Sequence, residues 1–361
     1  MTNDYSPRWR IEPGAGRDLR IGIIGAGGIV SGAHLPAYRD AGLNVVAITD
    51  LDADKARSVA ADFDIPVVAA SAEELAARID VDVVDVAVLP WVQPQIVGVV
   101  AAAGKHMLCQ KPLAMDYGTG VTMVEVAERA GVLLAVNHQM RWDAGIAASR
   151  DLVEQGAIGT VTEAQIQVSV STPLHLWAWI AEMPHLDIKV HSTHYLDALR
   201  SILGDPIWVT SIHGRYPEQD PVVGETVTKT VLEYDDGHQA LVATNHYNQH
   251  GEPSAEFRFL GTEGMLAGTI GLLYDYPNGR PDTLSLYREG AQVQAFEFDT
   301  MWLPDAFLGP MSDLLDAIAT GREPITAGRL MLPTLAVGEA AYRSAEERRS
   351  VRLSEITGED A

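Results

Sequence analysis

Over the first 137 residues, short apolar runs typical of buried strands alternate with longer segments whose apolar positions recur at helical spacing. Five runs predict strands, and they cover residues 19–24, 44–49, 81–88, 106–109 and 133–137. Residues 54–63, 93–103 and 116–130 predict helices, and a capping box at Ser71-Ala72-Glu73-Glu74 begins another. Strands that alternate with helices predict an α/β fold with a parallel, doubly wound sheet.

The pattern changes after residue 144. Residues 144–155 predict a helix, and residues 161–170 alternate apolar with polar positions, as a half-exposed strand does. Two runs joined by the turn Asp235-Asp236-Gly237 predict a β-hairpin. The remaining signals are strands at 257–260, 264–273 and 284–287 and closing helices at 312–320 and 330–347. This half is expected to be an α+β domain with a mostly antiparallel, open sheet.

A glycine-rich turn follows the first predicted strand. Gly25, Gly27 and Gly28 allow a tight turn and bring backbone N–H groups close to a pyrophosphate, and the helix that starts near Ile29 directs its positive end there. Asp50 ends the second strand, where an acid accepts hydrogen bonds from ribose hydroxyls and repels a 2′-phosphate. We therefore predict that these residues bind NAD, with NADP disfavoured; the alternative for Asp50 is an ordinary loop acid.

These patterns divide the chain into three parts. We predict a polar N-terminal tail at 1–18, a Rossmann dinucleotide-binding domain at 19–140, and an α+β domain at 141–361, to which the family resemblance given below assigns substrate binding and oligomerisation. The C-terminal helix of the last part is a candidate for packing back on the first domain.

Composition narrows the class of protein. The net charge of −23 repels a phosphate backbone, so a nucleic-acid partner is not expected. Charges and prolines interrupt every apolar run before it could span a membrane, and the polar N-terminus lacks the apolar core of a signal peptide. The single cysteine, Cys109, cannot form an internal disulfide, so we expect a cytoplasmic protein.

The segment 104–114, Gly-Lys-His-Met-Leu-Cys-Gln-Lys-Pro-Leu-Ala, carries a family resemblance. It resembles the "GKHVLCEKPLA" segment of the glucose–fructose oxidoreductase, inositol dehydrogenase and rhizopine-catabolism (Gfo/Idh/MocA) family. Weaker likenesses at 25–36, 194–204, 259–264 and 340–345 extend it over nearly the whole chain. The resemblance implies a Rossmann domain, a second domain with an open antiparallel sheet, redox chemistry on a sugar, polyol or sugar acid, and a homodimer or homotetramer.

The same resemblance implies Lys111 and His194 as the catalytic residues, with Lys111 also beside the cofactor. A histidine titrates near neutral pH and suits removal of a hydroxyl proton, while a lysine either is tuned by burial or donates to the developing alkoxide. Two positions depart from the family. Gln110 stands where a glutamate usually precedes Lys-Pro, and Val190 stands where many members have an aspartate four residues before the histidine. These departures leave open which group transfers the proton.

Further side chains are predicted to contact the substrate, and they are Arg141, Trp177, Trp179, His191, Asp197 and His246. Tryptophan rings stack on the apolar faces of sugars, although two tryptophans two apart on a strand equally suit a core or a subunit interface. For Arg141 the two alternatives are binding of a substrate carboxylate and a structural salt bridge. For His191 they are contact with the substrate and packing in the core. Gln93 is expected beside the nicotinamide ribose.

No metal site is predicted. His191 and His194 share one helical face near Asp197, but no third ligand stands at a fixed spacing from them. 

The function predicted is an NAD-dependent oxidoreductase that transfers hydride between nicotinamide and a secondary alcohol of a sugar, polyol or sugar acid. The alternatives are an NAD-dependent glycosidase or oxidoisomerase that acts through a transient keto-sugar, and a non-catalytic NAD-binding regulatory protein.

Overall fold

The computed structural model describes residues 5–358, which form two compact units. The first, which we call the parallel-sheet unit, contains Ile11–Trp142 and Pro304–Leu335. The second, the mixed-sheet unit, contains Asp143–Leu303 with residues 5–10 and 336–358. The domain limits predicted from the sequence, 19–140 and 141–361 with a tail at 1–18, stay a prediction; residues 1–4 of that tail lie outside the described residues.

Six parallel strands and five helices form most of the parallel-sheet unit. The strands are β1 (Arg20–Ile24), β2 (Asn44–Thr49), β3 (Val67–Val68), β4 (Val83–Val86), β5 (His106–Cys109) and β6 (Leu134–Val136). The helices are α1 (Leu35–Asp40), α2 (Ala53–Asp62), α3 (Ala72–Ala77), α4 (Gln93–Ala102) and α5 (Tyr117–Arg129). The order β3-β2-β1-β4-β5-β6 confirms the doubly wound sheet. It also places the reversal of strand order between β1 and β4, where ligands bind at the carboxyl ends of such strands.

Local sequence signals explain why these elements form where they do. All four residues of β4 are buried, as its apolar composition predicts. Ser71 caps α3 as predicted, because its hydroxyl accepts from the backbone N–H of Glu74 at 3.2 Å. The Glu74 carboxylate accepts from the N–H of Ala70, one residue before the cap, at 2.9 Å.

The mixed-sheet unit is built on a nine-stranded sheet. Its helices are α6 (Ala144–Glu154), α7 (Ala178–Ala181) and α8 (Thr193–Leu203). Its strands are β7 (Val161–Ser169), β8 (Trp208–Gly214), β9 (Val227–Glu233), β10 (Gln239–Asn245), β11 (Ser254–Gly261), β12 (Gly264–Thr269), β13 (Thr283–Arg288), β14 (Gln294–Glu297) and β15 (Val351–Arg352). The order is β14-β13-β12-β11-β7-β10-β9-β8-β15, and only the β7–β10 pair is parallel. The mostly antiparallel sheet and its β9–β10 hairpin are therefore confirmed.

Helices cover one face of this sheet. Helices α6 and α8 contact β7, β10, β12 and β13, and buried residues alternate with more exposed ones along β10. The alternation shows that the opposite face is open, as the resemblance implies. The predicted homodimer or homotetramer stays a prediction.

The last helices are α9 (Leu308–Thr320), α10 (Gly328–Glu347) and α11 (Ser354–Thr357). Helix α9 and the part of α10 up to Leu335 belong to the parallel-sheet unit, and α10 then continues into the mixed-sheet unit. A Cβ added to Gly309 would lie 2.2 Å from Trp142 Cγ, so glycine lets the backbone of α9 contact the indole. Across residues 5–358, no helix combines the length and apolar character that crossing a bilayer requires.

Two acids share a buried site in the mixed-sheet unit. Asp143, just before α6, is completely buried, and Asp282 accepts from the N–H of Gly145 at 3.0 Å and of Gly271 at 2.7 Å. Burial raises the pKa of Asp143 well above its ordinary value, and the charge of Asp282 with a hydrogen bond between the two side chains raises it further. Burial also raises the pKa of Asp282. The folded protein therefore holds a proton here that the unfolded chain releases.

We predict that Asp143→Asn stabilises the protein increasingly as pH rises. A carboxyl whose pKa is raised by folding stabilises fully below its unfolded pKa, and this stabilisation is lost as pH rises toward the folded pKa, by about 1.4 kcal/mol per pH unit. The asparagine amide donates to Asp282 without titrating. Melting temperatures from about pH 5 to about pH 8 should therefore diverge in favour of the variant. The exposed Asp62→Asn serves as control, and a pH-independent difference for Asp143→Asn would contradict the shared proton.

Candidate functional site

The glycines after β1 meet two different demands. Gly25 has φ +109°, and a Cβ there would lie 2.3 Å from the carbonyl oxygen of Ala87, so the fold itself requires glycine. Gly27 and Gly28 meet no such demand, since a Cβ added to either would have no protein atom within 4 Å. Their backbone borders open space, which is what close approach of a pyrophosphate needs. 

The helix expected near Ile29 is present. A π-helical turn, Val30–His34, begins there and continues into α1. The first amides of this turn bond back to the glycine segment, with Val30 N–H donating to the carbonyl oxygen of Gly27 at 2.9 Å. The side chain of Ile29 is 39% exposed, which places an apolar surface beside the open glycine backbone.

Asp50 holds the glycine turn from the end of β2. Its Oδ2 accepts from the N–H of Ala26 at 2.7 Å, and its Oδ1 accepts from the N–H of Asp52 at 2.9 Å. Each carboxylate oxygen can accept more than one hydrogen bond, so these contacts leave capacity for ribose hydroxyls. Asp50 can therefore hold the glycine turn and accept hydrogen bonds from ribose hydroxyls at the same time. Nearby, Arg57 pairs with Asp54, an acid of the same helix.

Lys111 follows β5 at the carboxyl edge of the parallel sheet. The Lys111–Pro112 peptide bond is cis. Gln93, fully buried at the start of α4, holds this loop by donating from Nε2 to the carbonyl oxygens of Pro112 at 2.8 Å and Leu113 at 3.2 Å. Gln93 thus positions the lysine loop, and its predicted contact with the nicotinamide ribose stays a prediction. Burial lowers the pKa of Lys111 to about 7, so much of it is a neutral amine at neutral pH.

A buried polar network lies behind Lys111. Gln110 Oε1 accepts from the backbone N–H of Lys111 at 3.0 Å, so its Nε2 faces His34 Nε2 at 2.7 Å and donates to it. His34 Nε2 therefore carries no proton, and the ring donates from Nδ1 to Asp85 Oδ2 at 2.6 Å. Tyr38 donates to the same oxygen at 2.8 Å. The glutamine that departs from the family pattern thus has the donor this network requires.

In the mixed-sheet unit, His194 lies in the first turn of α8. It is 7% exposed and packs edge to face against Trp302, with ring centroids 5.0 Å apart. Asp197 lies one turn later, is 1% exposed, and pairs with Arg200 at 3.5 Å. A buried ion pair favours a structural role for Asp197, so its predicted contact with substrate has no support from its placement.

Asp187 is absent from the residues predicted from the sequence. It lies four residues before His191, and His191 belongs to a π-helical turn, Ile188–Ser192, that leads into α8. Asp187 Oδ1 lies 3.7 Å from His191 Nδ1 and 3.5 Å from Nε2 of His246, which follows β10. The rings of His191 and His246 stack with centroids 4.2 Å apart. The Asp–x–x–x–His spacing of Asp187 and His191 is visible in the sequence, whereas the family pattern aligned on His194 places the aspartate at position 190, which is a valine.

The carboxylate of Asp187 is firmly held. Its Oδ2 accepts from the hydroxyls of Ser192 at 2.9 Å and of Thr228 and Thr244 at 2.6 Å each. Glu225 fixes the backbone on either side by accepting from the N–H groups of Leu186 and Ile188. Burial lowers the pKa of His246, although the charge of Asp187 opposes this. Pi-helical turns are frequent at functional sites, and this one presents its acid and histidine together.

The remaining predicted residues are placed as follows. Arg141 is buried in a short 3₁₀ helix, Gln139–Trp142, of the parallel-sheet unit. Trp177 precedes the short helix α7, which contains Trp179, so the two indoles do not lie on a strand. Both indoles are partly exposed, and Trp177 packs edge to face against Tyr276 at 6.2 Å. Their contact with a sugar stays a prediction.

Comparisons with known proteins agree with this picture. The family model described as an oxidoreductase family with an NAD-binding Rossmann fold matches residues 19–138, and the model of the GFO/IDH/MocA C-terminal domain matches residues 146–267. The D-apiose dehydrogenase of Paraburkholderia graminis is 27% identical over 93% of this chain and 90% of its own length. The 1,5-anhydro-D-fructose reductase of Ensifer adhaerens is 32% identical over 69% of this chain and 75% of its own length. A crystal structure of an Agrobacterium radiobacter oxidoreductase with NAD+, L-tartaric acid and magnesium has a TM-score of 0.81 at 25% identity, covering 94% of this chain and 99% of that chain.

We predict that Gly27→Asp weakens NAD binding without weakening the fold. The added side chain meets only open space, so the melting temperature should change by no more than about 2 °C. The same side chain blocks the backbone and sets a negative charge against a pyrophosphate, so NAD affinity measured by calorimetric titration should fall at least about tenfold. Gly25→Ala is the contrasting variant, because its Cβ clashes with Ala87 and should lower the melting temperature. Unchanged NAD affinity in Gly27→Asp would contradict the placement of the dinucleotide.

Proposed function

This chain belongs to the Gfo/Idh/MocA family of oxidoreductases, and on that premise we propose that it transfers hydride between NAD and a secondary alcohol of a sugar, polyol or sugar acid. The observation that carries the proposal is the combination, in one unit, of an open glycine backbone beside Asp50 with a half-buried lysine whose pKa is about 7. The names of the two relatives, a D-apiose dehydrogenase and a 1,5-anhydro-D-fructose reductase, support a sugar-type substrate.

The residues that would hold the dinucleotide are Gly25, Gly27, Gly28, Ile29 and Asp50. The bound nicotinamide supplies the hydride acceptor when the alcohol is oxidised. We assign preference for NAD over NADP to Asp50, since its carboxylate accepts from ribose hydroxyls and repels a 2′-phosphate. Two basic residues, Lys55 and Arg57, follow Asp50 in α2, and Arg57 is already paired with Asp54.

Lys111 is assigned the proton transfer. Alcohol oxidation needs a base while hydride leaves carbon, and a base works best when its pKa lies near the working pH. The neutral amine of Lys111 takes the hydroxyl proton, and its protonated form returns that proton when a ketone is reduced. His194 is assigned to substrate binding, as the family resemblance implies. Arg141, Trp177 and Trp179 remain candidates for the rest of the substrate.

A substrate panel tests the reaction. The protein is incubated with NAD or NADP and with sugars, polyols, sugar acids and glycosides, and NADH absorbance and product release are followed together. We expect net NADH, formed faster with NAD than with NADP. Product without net NADH would establish the redox-neutral glycosidase or oxidoisomerase instead, and NAD binding with neither outcome would establish the regulatory protein.

The variant Asp50→Asn tests the coenzyme preference in the same assay. Asparagine keeps an acceptor for the Ala26 N–H but removes the charge, and a hydrogen bond to a charged group contributes about 1.5–3 kcal/mol. The preference for NAD over NADP should therefore narrow by about tenfold or more. The exposed Asp62→Asn should leave the preference unchanged. An unaltered preference in Asp50→Asn would remove Asp50 from the coenzyme assignment.

We predict that Lys111→Met lowers kcat/KM for alcohol oxidation by roughly 10²–10⁴-fold. In the wild type kcat/KM should rise with pH through about 7, because the neutral amine is the active form. The methionine variant should lose that rise while folding normally, since methionine suits a buried position better than an amine does. Lys105→Met is the matched control, because Lys105 precedes the same strand and donates to the carbonyl oxygens of Arg78 and Val81.

The variant His194→Asn distinguishes the proton transfer assigned to Lys111 from the substrate binding assigned to His194. It should lower turnover but keep the rise of kcat/KM near pH 7. If instead the rise persists in Lys111→Met and disappears in His194→Asn, the histidine is the base and the assignment is wrong.

A further inference from the structure

Glu225, which lies just before β9 in the mixed-sheet unit, bonds to the backbone on both sides of Asp187. We propose that Glu225 is a positioning residue for the reaction, and that together with Tyr342 it holds the π-helical turn that follows Asp187. The inference rests on the proposed function. It takes Asp187, His191 and His246, which we call the Asp187 cluster, as part of the substrate site.

The spacing of Asp187 and His191 supports their place in the substrate site. They are four residues apart, which is the separation that many members of the family have between an aspartate and the histidine of the catalytic region. Asp187 Oδ1 lies 3.7 Å from His191 Nδ1 and 3.5 Å from His246 Nε2, and the two rings stack. Both histidines are also among the residues that the sequence predicts to contact the substrate. The placement of this cluster therefore determines how the substrate is held.

Glu225 is a buried acid whose hydrogen bonds go largely to the segment around Asp187. It is 4% exposed. Both carboxylate oxygens accept from the N–H of Leu186, at 3.1 and 3.0 Å, and Oε1 also accepts from the N–H of Ile188 at 3.3 Å. Hydrogen bonds with an ionised acceptor are about twice as strong as neutral ones. Asp187 lies between the two donors, so these bonds fix the backbone from which its own carboxylate projects.

Tyr342, in α10, connects Glu225 to the same segment. Its hydroxyl donates to Glu225 Oε1 at 2.6 Å. Its ring stacks on His185 with centroids 4.2 Å apart, and the Lys189 ammonium lies 5.6 Å from the ring centroid. Burial raises the pKa of Tyr342, and the charge of Glu225 raises it further, so the phenol keeps the proton that it donates. Tyr342 therefore packs against the segment on both sides of Asp187 while it orients the carboxylate that bonds to its backbone.

The residue after Glu225 holds the other part of the Asp187 cluster. The carbonyl oxygen of Thr226 accepts from the backbone N–H of His246 at 2.8 Å. Gln219, which is completely buried, fixes this loop: its Nε2 donates to the carbonyl oxygen of Gly224 at 2.6 Å, and its Oε1 accepts from the Thr226 hydroxyl at 2.7 Å. Two adjacent residues, Glu225 and Thr226, thus hold the π-helical turn and His246 relative to each other.

A positioning residue and a residue that only stabilises the fold differ in what the folded enzyme can do. Loss of a purely structural contact lowers the melting temperature but leaves the turnover of each folded site unchanged. Loss of a positioning contact also lowers the turnover of the folded protein, because a displacement of about 1 Å in the groups that hold the substrate lowers the rate by up to about 10²-fold. The residues assigned to NAD belong to the parallel-sheet unit, so NAD affinity should change in neither case.

The test compares Glu225→Gln with the wild type, using the alcohol that gives the highest rate in the substrate panel. Glutamine has the size of glutamate but no charge, and its amide nitrogen cannot accept from a backbone N–H. We expect kcat per NAD-binding site, measured well below the melting temperature, to fall by about 10–10²-fold. The Kd of NAD should stay within about twofold of the wild-type value.

Two outcomes separate failure of this inference from failure of the proposed function. An unchanged kcat in folded Glu225→Gln, even with a lower melting temperature, would overturn the inference alone. No NADH from the wild type with any alcohol of the panel would overturn the proposed function and this inference with it.

A milder pair of variants provides the test if Glu225→Gln does not fold. Tyr342→Phe removes only the hydroxyl that donates to Glu225 and keeps the ring that stacks on His185. Tyr234→Phe is the matched control, since it removes a buried hydroxyl of the same unit that has no hydrogen-bond partner among the described residues. We expect Tyr342→Phe to lower kcat at least about threefold and the control to leave it unchanged. Equal kcat for the two phenylalanine variants would overturn the inference for this contact.

Discussion

The parallel-sheet unit depends on one carboxylate buried in the middle of its sheet. Asp85 is an acid in a strand of valines, and it is completely buried. Desolvating an ionised carboxylate costs several kcal/mol unless hydrogen bonds replace the lost water. Tyr38 and His34 supply those bonds to its Oδ2 and thereby tie the helical segment after the glycine turn to the central strand. These hydrogen bonds link that segment to the carboxyl edge of the sheet.

The same constraint acts in the mixed-sheet unit. Asp187 is equally buried, and in both acids the hydrogen bonds given by other side chains go to Oδ2. Among the described residues, neither Asp85 Oδ1 nor Asp187 Oδ1 has a hydrogen-bond partner. The two sites differ in their histidines: His34 donates to Asp85 directly at 2.6 Å, whereas His191 and His246 stand 3.7 and 3.5 Å from Asp187 Oδ1.

The elements that the sequence predicts best are those determined by residues close together along the chain. Strands β1, β2 and β5 and the β9–β10 hairpin follow from apolar runs and turn residues a few positions apart. The parallel pairing of β7 with β10 has no such local signal, because it joins segments separated by several other elements. The inclusion of Pro304–Leu335 in the parallel-sheet unit is equally non-local.

The residues of the site also are predictable where their signal is local along the chain. The glycine turn, Asp50 and Lys111 are contiguous motifs that can be read along the chain, although the structure alone shows that Asp50 also holds the turn. The Asp187 cluster also needs Thr228 from β9, Thr244 from β10 and His246 directly after β10. Besides the spacing of Asp187 and His191, its signal in the sequence is that Thr228 and Thr244 occupy fully buried positions of strands where apolar residues would be expected. Polar residues at core positions imply a buried polar partner, and here that partner is Asp187.

Gln110 finally connects the buried acid to the chemistry proposed for Lys111. A glutamate at this position, as in most of the family, would bring a second negative charge beside Asp85 and close to the lysine. A nearby negative charge favours the protonated amine and so raises the pKa of a lysine. The neutral glutamine holds the loop through the Lys111 N–H and donates to His34 without adding charge, and burial then lowers the pKa of Lys111 to about 7. The departure from the family pattern therefore favours a lysine that serves as a base near neutral pH, and it does so without altering the contacts that position the loop.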